Sequence, residues 1–393
     1  MWSPGVSPFV TDGPVAPAEV VGRERELRVL KECANAGRSV VLLAPRRYGK
    51  TSLVGRVSQD LDRARSMTPV AVDLFGVVSL ADLVVRLEDA YRRHLVGRTR
   101  RLVQDLFDST AVGLSLGGAG FGLQISRNPD TDPLPALHTL LDLPARLHQK
   151  RRVLVVFDEF QALARVNGAE AILRSHVQHH REAASYIYAG SEPGMLEAMF
   201  STRNRAFYTQ ADLKRLGPLP AGPVRKYLVR RFGETGRDPA PVLDWLMEAS
   251  GGHPQRTMLL ADCLWRATRP DSVSGIAEWA AAYREATDRV SIEHEATWRS
   301  MTITEQRVVR ALVEGWPPAG RSAQEALALP KGSVAETVRR LVDTGLLERE
   351  PGDRPRLVDP LYRRWVLDRF GLTNPGVAPR TNRSLPSGPP ADT

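Results

Sequence analysis

Cysteine is almost absent: Cys33 and Cys263 stand far apart without C-x-x-C spacing, which excludes a disulfide framework and a thiolate metal site. Long apolar runs are also lacking. None approaches the roughly 18 residues a membrane helix needs, and the opening MWSPGVSPFVTDGPVAP lacks the basic-then-apolar order of a secretory leader. The expectation is a cytoplasmic protein with no membrane partner. A concentrated block of one charge is missing too. The formal charge is +9, yet the basic residues come as short pairs such as Arg92–Arg93, Arg151–Arg152 and Arg230–Arg231 with acidic residues between them. Dispersed charge of this kind does not by itself mark a nucleic-acid binder.

What is present suits a globular chain. At 393 residues, 42% hydrophobic and 25% charged, it has room for two or three domains, each with its own core. Residues 1–18 carry Pro4, Pro8, Pro14 and Pro17 without periodicity and read as an extended arm. A core follows over 19–220. It begins with a helix whose Leu27, Leu30 and Ala34 share a face and whose stop is Gly37. The apolar runs SVVLLA, PVAVDLF (69–75), RVLVVFD (152–158) and SYIYAGS (185–191), with the weaker DLKRLGPL (212–219), read as buried strands. Helical patterns over 79–95, 134–150 and 169–184 separate them, which predicts a doubly wound parallel sheet of the α/β class. AVGLSLGGAGFGLQIS (111–126) reads as an inserted β-hairpin.

Beyond residue 220 only helical patterns remain, predicting a helical lid over 221–298 whose last helix spans 274–290. A third unit, 299–370, opens with the capping box Thr302–Glu305. A short helix around Ser322 to Leu329 follows, then a second box, Ser333–Glu336, and a two-strand wing turning at Pro351–Gly352–Asp353. Three helices and a wing predict a winged helix-turn-helix. Lys331, Arg339 and Arg340 sit on its recognition helix, balanced by Glu336 and Asp343, so the unit fits DNA or a protein surface. The Pro- and Ser-rich stretch 371–393 reads as disordered.

The chemistry concentrates at VVLLAPRRYGKTSL. It ends as the phosphate-loop template G-x-x-x-x-G-K-[ST] requires, but Ala44 replaces the first glycine and Pro45 removes one N–H. Neither change touches the donors nearest the outer phosphates, which are the backbone N–H groups of Arg47, Tyr48, Gly49, Lys50 and Thr51 at a helix start, with Ser52 next in line. Lys50 is expected to reach the outer phosphates, and the Thr51 hydroxyl to ligate Mg2+. About 110 residues further on, the strand VLVVFD ends in Asp158 and Glu159. Asp158 is expected to hold the metal through water, and Glu159 to polarise the attacking water. Ser191 ends the next strand, either to sense the γ-phosphate or to cap the following helix. Gly251–Gly252 precede His253–Pro254, a helix start with proline in its permitted place. His176, His179 and His180 have a spacing that can chelate zinc on a helix, but no acidic or cysteine partner matches it, and they read as a polar helix face.

The set VVGRERELRVL, APRRYGKTSL, VLVVFDEFQ, YIYAGSEPGMLEAMF, GGHPQ and LVDPLYRRWV resembles the archaeal-type ATPase family, in the STAND branch of AAA-related P-loop NTPases, over about residues 19–369. The resemblance implies ATP/ADP and Mg2+ as ligands, a helical lid and a C-terminal winged helix. It also implies that Gly22 and Arg23 lie near the adenine and that the His253–Pro254 turn touches the nucleotide. The family's members are described as regulatory ATPases and switches, which implies a protein partner or self-assembly. One departure concerns the arginine finger. Relatives often carry a Gly-Arg pair where this chain has Thr209–Gln210, leaving Arg203 and Arg205 as nearby candidates. The alternative functions are a DNA-binding regulator and a scaffold held by ADP.

Overall fold

A computed structural model describes residues 6–94, 132–147, 151–329, 331–349 and 354–371. The expected hairpin at 111–126, the wing turn at 351–353 and the tail 372–393 lie outside the described residues.

The five expected strands are β1 (Val40–Leu43), β2 (Met67–Asp73), β3 (Arg152–Asp158), β4 (Ala184–Gly190) and β5 (Asp212–Arg215). They form one parallel sheet in the order β2-β3-β4-β1-β5. Side chains alternate across a strand, so β1 sends Val41 and Leu43 into one core and Val40 and Leu42 into the other. Helices α3 (Leu80–His94), α4 (Leu134–Leu147), α5 (Ala169–Val177) and α6 (Pro193–Ser201) cover the first face. Helices α1 (Glu24–Asn35) and α2 (Lys50–Arg63) cover the second. Burial on both faces is why β1, β3 and β4 read as continuous apolar runs, whereas the edge strands β2 and β5 are partly exposed. Two expected elements are shorter than their patterns. α5 stops at Val177, since turns occupy 178–183 and Ala184 already starts β4. β5 stops at Arg215, ahead of Gly217–Pro218, where proline has no N–H for a ladder.

The lid contains α7 (Ala221–Gly233), α8 (Leu243–Ser250), α9 (Pro254–Ala267) and α10 (Ile276–Ser300), around a core of its own that includes Leu228, Phe232, Leu260 and Leu264. α10 runs ten residues past its expected end at Val290. Val290, His294 and Trp298 recur at i+4 and are all buried, so one face carries the helix into the third unit. There α11 (Ile303–Val313), α12 (Arg321–Leu327), α13 (Lys331–Asp343) and an antiparallel ribbon of Leu347–Arg349 with Pro355–Leu357 make the winged-helix arrangement, followed by α14 (Pro360–Arg369). The box at Thr302–Glu305 is formed. That at Ser333–Glu336 is not: α13 begins two residues earlier, Ser333 lies inside it, and Glu336 pairs with Arg339.

Candidate functional site

The carboxyl ends of β1, β3 and β4 meet on one edge of the sheet, where open α/β folds place ligands. The loop after β1 turns through two left-handed residues, Arg47 (φ 65°) and Gly49 (φ 81°), and Gly49 starts α2. Glycine adopts such a φ freely. An added Cβ would meet no protein atom within 4 Å, so within the chain itself it is the left-handed φ that favours glycine there.

Lys50 is buried, and its Nζ donates to the carbonyls of Ala44 and Pro45 at 2.9 Å each. Burial pulls its pKa down to about 8, against the opposing pull of Glu159 and Asp158. The Thr51 hydroxyl donates to Asp158 Oδ2 at 3.2 Å. Burial pushes the Asp158 carboxyl up. One hydroxyl and one carboxylate oxygen side by side are hard donors of the type magnesium takes beside phosphate oxygens and water. The residues present therefore fit a Mg2+–polyphosphate ligand.

Glu159 sits in the left-handed region at φ 54°, strain that for a non-glycine residue persists where surroundings impose it. Those surroundings are Ser191 Oγ, which donates to its Oε2 at 2.8 Å, and Gln161 Nε2, which donates to the same oxygen. Ser191 thus holds Glu159 and does not cap α6, whose N-cap is Glu192. Gln161 is buried against Gly190, where a Cβ would fall 2.1 Å from its Oε1.

These groups open into a cavity of about 520 Å3 between the sheet and the lid. Of the residues expected at the site, it is lined by Arg47, Tyr48, Gly49, Lys50, Thr51, Ser52, Arg23, Asp158, Glu159, Ser191 and Pro254. Gly22 and His253 do not line it. Gly22 (φ 68°) packs on Pro220, and Arg23 bonds the carbonyls of Tyr48 and Gly217. His253 Nδ1 accepts from Arg256 N to cap α9, and its ring meets Tyr48 edge-on at 5.0 Å. Burial pulls the His253 pKa down to about 4. Arg203 and Arg205 also lie outside the lining; Arg205 pairs with Glu170. The three histidines are not one helix face. α5 ends before His179, His176 Nδ1 contacts Asp142 at 2.6 Å and His138 at its other nitrogen, and His180 is buried on Tyr186.

Sequence reasoning missed a charge chain behind the loop. Arg47 pairs with Glu293 of α10, Glu293 approaches Arg256 of α9 at 3.6 Å, and Arg256 bonds Asp359 at 2.5 Å. His294 also meets Asp359 at 3.1 Å. Asp359 caps α14 through Leu361 N and Tyr362 N, and the dipeptide Asp359–Pro360 is its sequence signal. The winged helix docks nearby. A Cβ on Gly194 would fall 2.0 Å from Asp343 Oδ1, and Gly345, just after α13, lies against Pro193, Ser191 O and Pro45. Arg339 and Arg340 of α13 are held by Glu336 and Glu305.

No family model matches the chain, and no curated protein matches it. Among solved structures it is similar to a Walker-type ATPase of Pyrococcus abyssi, with TM-score 0.66 and 17% identity over 91% of this chain and 99% of that one. It is also similar to the ORC2 protein of Aeropyrum pernix in ADPNP–ADP complexes, with TM-score 0.56 and 14% identity over 93% and 99%. The ADP form of that protein gives TM-score 0.54 and 13% identity over 92% and 97%. At these identities the likeness concerns the fold.

Proposed function

We propose that the chain is an ATP-binding regulatory ATPase, a STAND-like switch. Its fold is that of a P-loop NTPase, a parallel α/β sheet followed by a helical lid and a winged helix-turn-helix, and among the described residues no helix is long and apolar enough to cross a membrane. The chain binds Mg-ATP between sheet and lid, hydrolyses it slowly, and repositions its winged helix as it does so. The observation that carries this reading is the single cavity edge on which Lys50, Thr51, Asp158 and Glu159 converge, with the docked winged helix in contact with the same loops.

In this reading Lys50 leaves the Ala44 and Pro45 carbonyls for the outer phosphates, while Thr51 and Asp158 would hold magnesium. The metal supplies charge neutralisation to the phosphates. Glu159, fixed by Ser191 and Gln161, orients a water and accepts its proton. A Cβ on Gly345 would lie 3.4 Å from Ser191 O and 3.7 Å from Pro45 Cα, so there is little room for either loop to shift toward the base of the wing without displacing it.

The test is ATP turnover with magnesium, measured over a range of protein concentrations. Glu159→Gln keeps the hydrogen bonds but cannot take the proton, and is expected to lower turnover about a hundredfold with ATP binding retained. Undiminished turnover in that variant would remove Glu159 from the mechanism. Turnover per molecule that rises with concentration would indicate an assembling ATPase whose site is completed by a second copy.

pH gives an independent prediction. Polyphosphate prefers the ammonium form of Lys50, whose pKa is about 8 in the folded chain. Affinity for ATP should be full below that value and fall by up to about tenfold per pH unit above it. Calorimetric titration at pH 7 and pH 9 checks this, and equal affinities would contradict it.

Duplex DNA binding through α13 is a second reading that rests on the winged-helix arrangement alone. The ion pairs of Arg339 and Arg340 and the packing of Asp343 on Gly194 favour a protein-facing surface. Duplex binding at low salt that disappears on removal of residues 300–370 would reverse that preference.

A further inference from the structure

Residues 8–15 of the proline-bearing arm are fastened across the gap between lid and sheet domain. On the lid side, Phe9 is buried with its ring 5.2 Å from Phe232 and 6.4 Å from Tyr227. Arg231 donates to Pro8 O at 3.4 Å, and Gln255 Nε2 donates to Thr11 O at 3.1 Å. On the other side, Val15 N donates to Ser52 Oγ at 3.1 Å, and Arg56 donates to Pro17 O at 2.8 Å. The first set of contacts belongs to α7 and α9, the second to α2, directly after the phosphate loop. Between them the arm turns at Gly13, whose φ is 74°.

Residues 10–15 line the same cavity as Lys50 and Thr51, together with the apolar Val21, Leu219 and Met258. Such a wall suits the face of a nucleobase. A ligand seated on the phosphate loop and reaching this wall is enclosed by the arm. The lid cannot swing away from α2 unless one of the two fastenings lets go.

We infer that residues 8–15 form a strap that closes the base side of the nucleotide site and sets how long a purine nucleotide stays bound. This rests on the ATP-site reading above and adds a second recognition element outside the phosphate loop. The strap answers to the base and sugar, the loop to the phosphates, so a ligand lacking base and sugar escapes the strap's control.

Hydrogen exchange on the wild-type chain separates the two. Saturating ADP is expected to slow exchange in residues 9–15 at least tenfold, and inorganic tripolyphosphate is expected to leave it unchanged. Phe9→Ala, which empties the lid fastening, should speed dissociation of ribose-labelled fluorescent ADP about tenfold or more. Phe9→Leu should restore most of the difference, and tripolyphosphate affinity should stay the same in all three. Bound ADP that leaves the exchange of residues 9–15 unaltered would overturn the strap and leave the nucleotide site standing. Should Phe9→Ala fail to fold, the wild-type exchange result decides alone. If the wild type binds neither ADP nor tripolyphosphate, the ATP-site reading falls, and the strap with it.

Discussion

Lys50→Ala is expected to weaken ATP binding about a thousandfold. The Lys50 ammonium is buried, and its partners in the structure are two neutral carbonyls, those of Ala44 and Pro45. Two unit charges about 4 Å apart at an effective dielectric of roughly 20 attract by about 4 kcal/mol, and each 1.4 kcal/mol is about tenfold in affinity. The phosphates would keep their backbone donors but lose the buried Lys50 ammonium. Stability should move the other way or little, because alanine removes a charge whose burial is unfavourable, as its lowered pKa records. Titration calorimetry with Mg-ATP, beside a thermal melt, separates binding from folding. Near wild-type affinity in a folded Lys50→Ala variant would sink the assignment of this loop as the nucleotide site.

Asp359→Ala should loosen the junction between lid and winged helix by about 3–5 kcal/mol, the usual cost of leaving one partner of a buried ion pair alone. Arg256 is 2% exposed, and Asp359 answers it with two bonds to one oxygen while the other oxygen caps α14. Burial pushes the Asp359 carboxyl up. Hydrogen bonds from His294 and Arg256, with the latter's charge, outweigh this and hold it well below the usual carboxylate range. A carboxyl depressed in the folded state contributes stability that is present above its unfolded pKa, about 3.9, and lost as pH falls below it. The variant's melting midpoint should therefore drop by roughly 5–15 °C at pH 7, with the gap to wild type narrowing below pH 4. Early proteolytic cleavage between α10 and α11 should accompany it. Asp359→Asn, which retains a cap, should lie between the two. An unchanged midpoint for Asp359→Ala at pH 7 would show that the chain from Arg47 through Glu293 and Arg256 does not hold the winged helix.

The central strands β1, β3 and β4 were legible because burial on both faces writes itself as an unbroken apolar run, and the loop between β1 and α2 because its left-handed turn into a helix favours glycine at Gly49. Where the pattern misled, a competing contact had prevailed. Ser333 resembled a cap yet lies inside α13, and α10 outran its expected end because the buried side of Val290, His294 and Trp298 belongs to two units at once. His179 and His180 kept helical spacing in sequence while the chain had already turned toward β4.

By itself the sequence determined the α/β class, the order of core, lid and winged helix, and the local residues that suit a phosphate and a metal, because each depends on side chains close together in the chain. Only the tertiary structure decided that Ser191 and Gln161 converge on Glu159, that the arm crosses to Ser52, and that Asp359 neutralises Arg256 about a hundred residues away. Those pairings arise where separate units pack, and a buried donor or charge takes whichever partner the packing delivers.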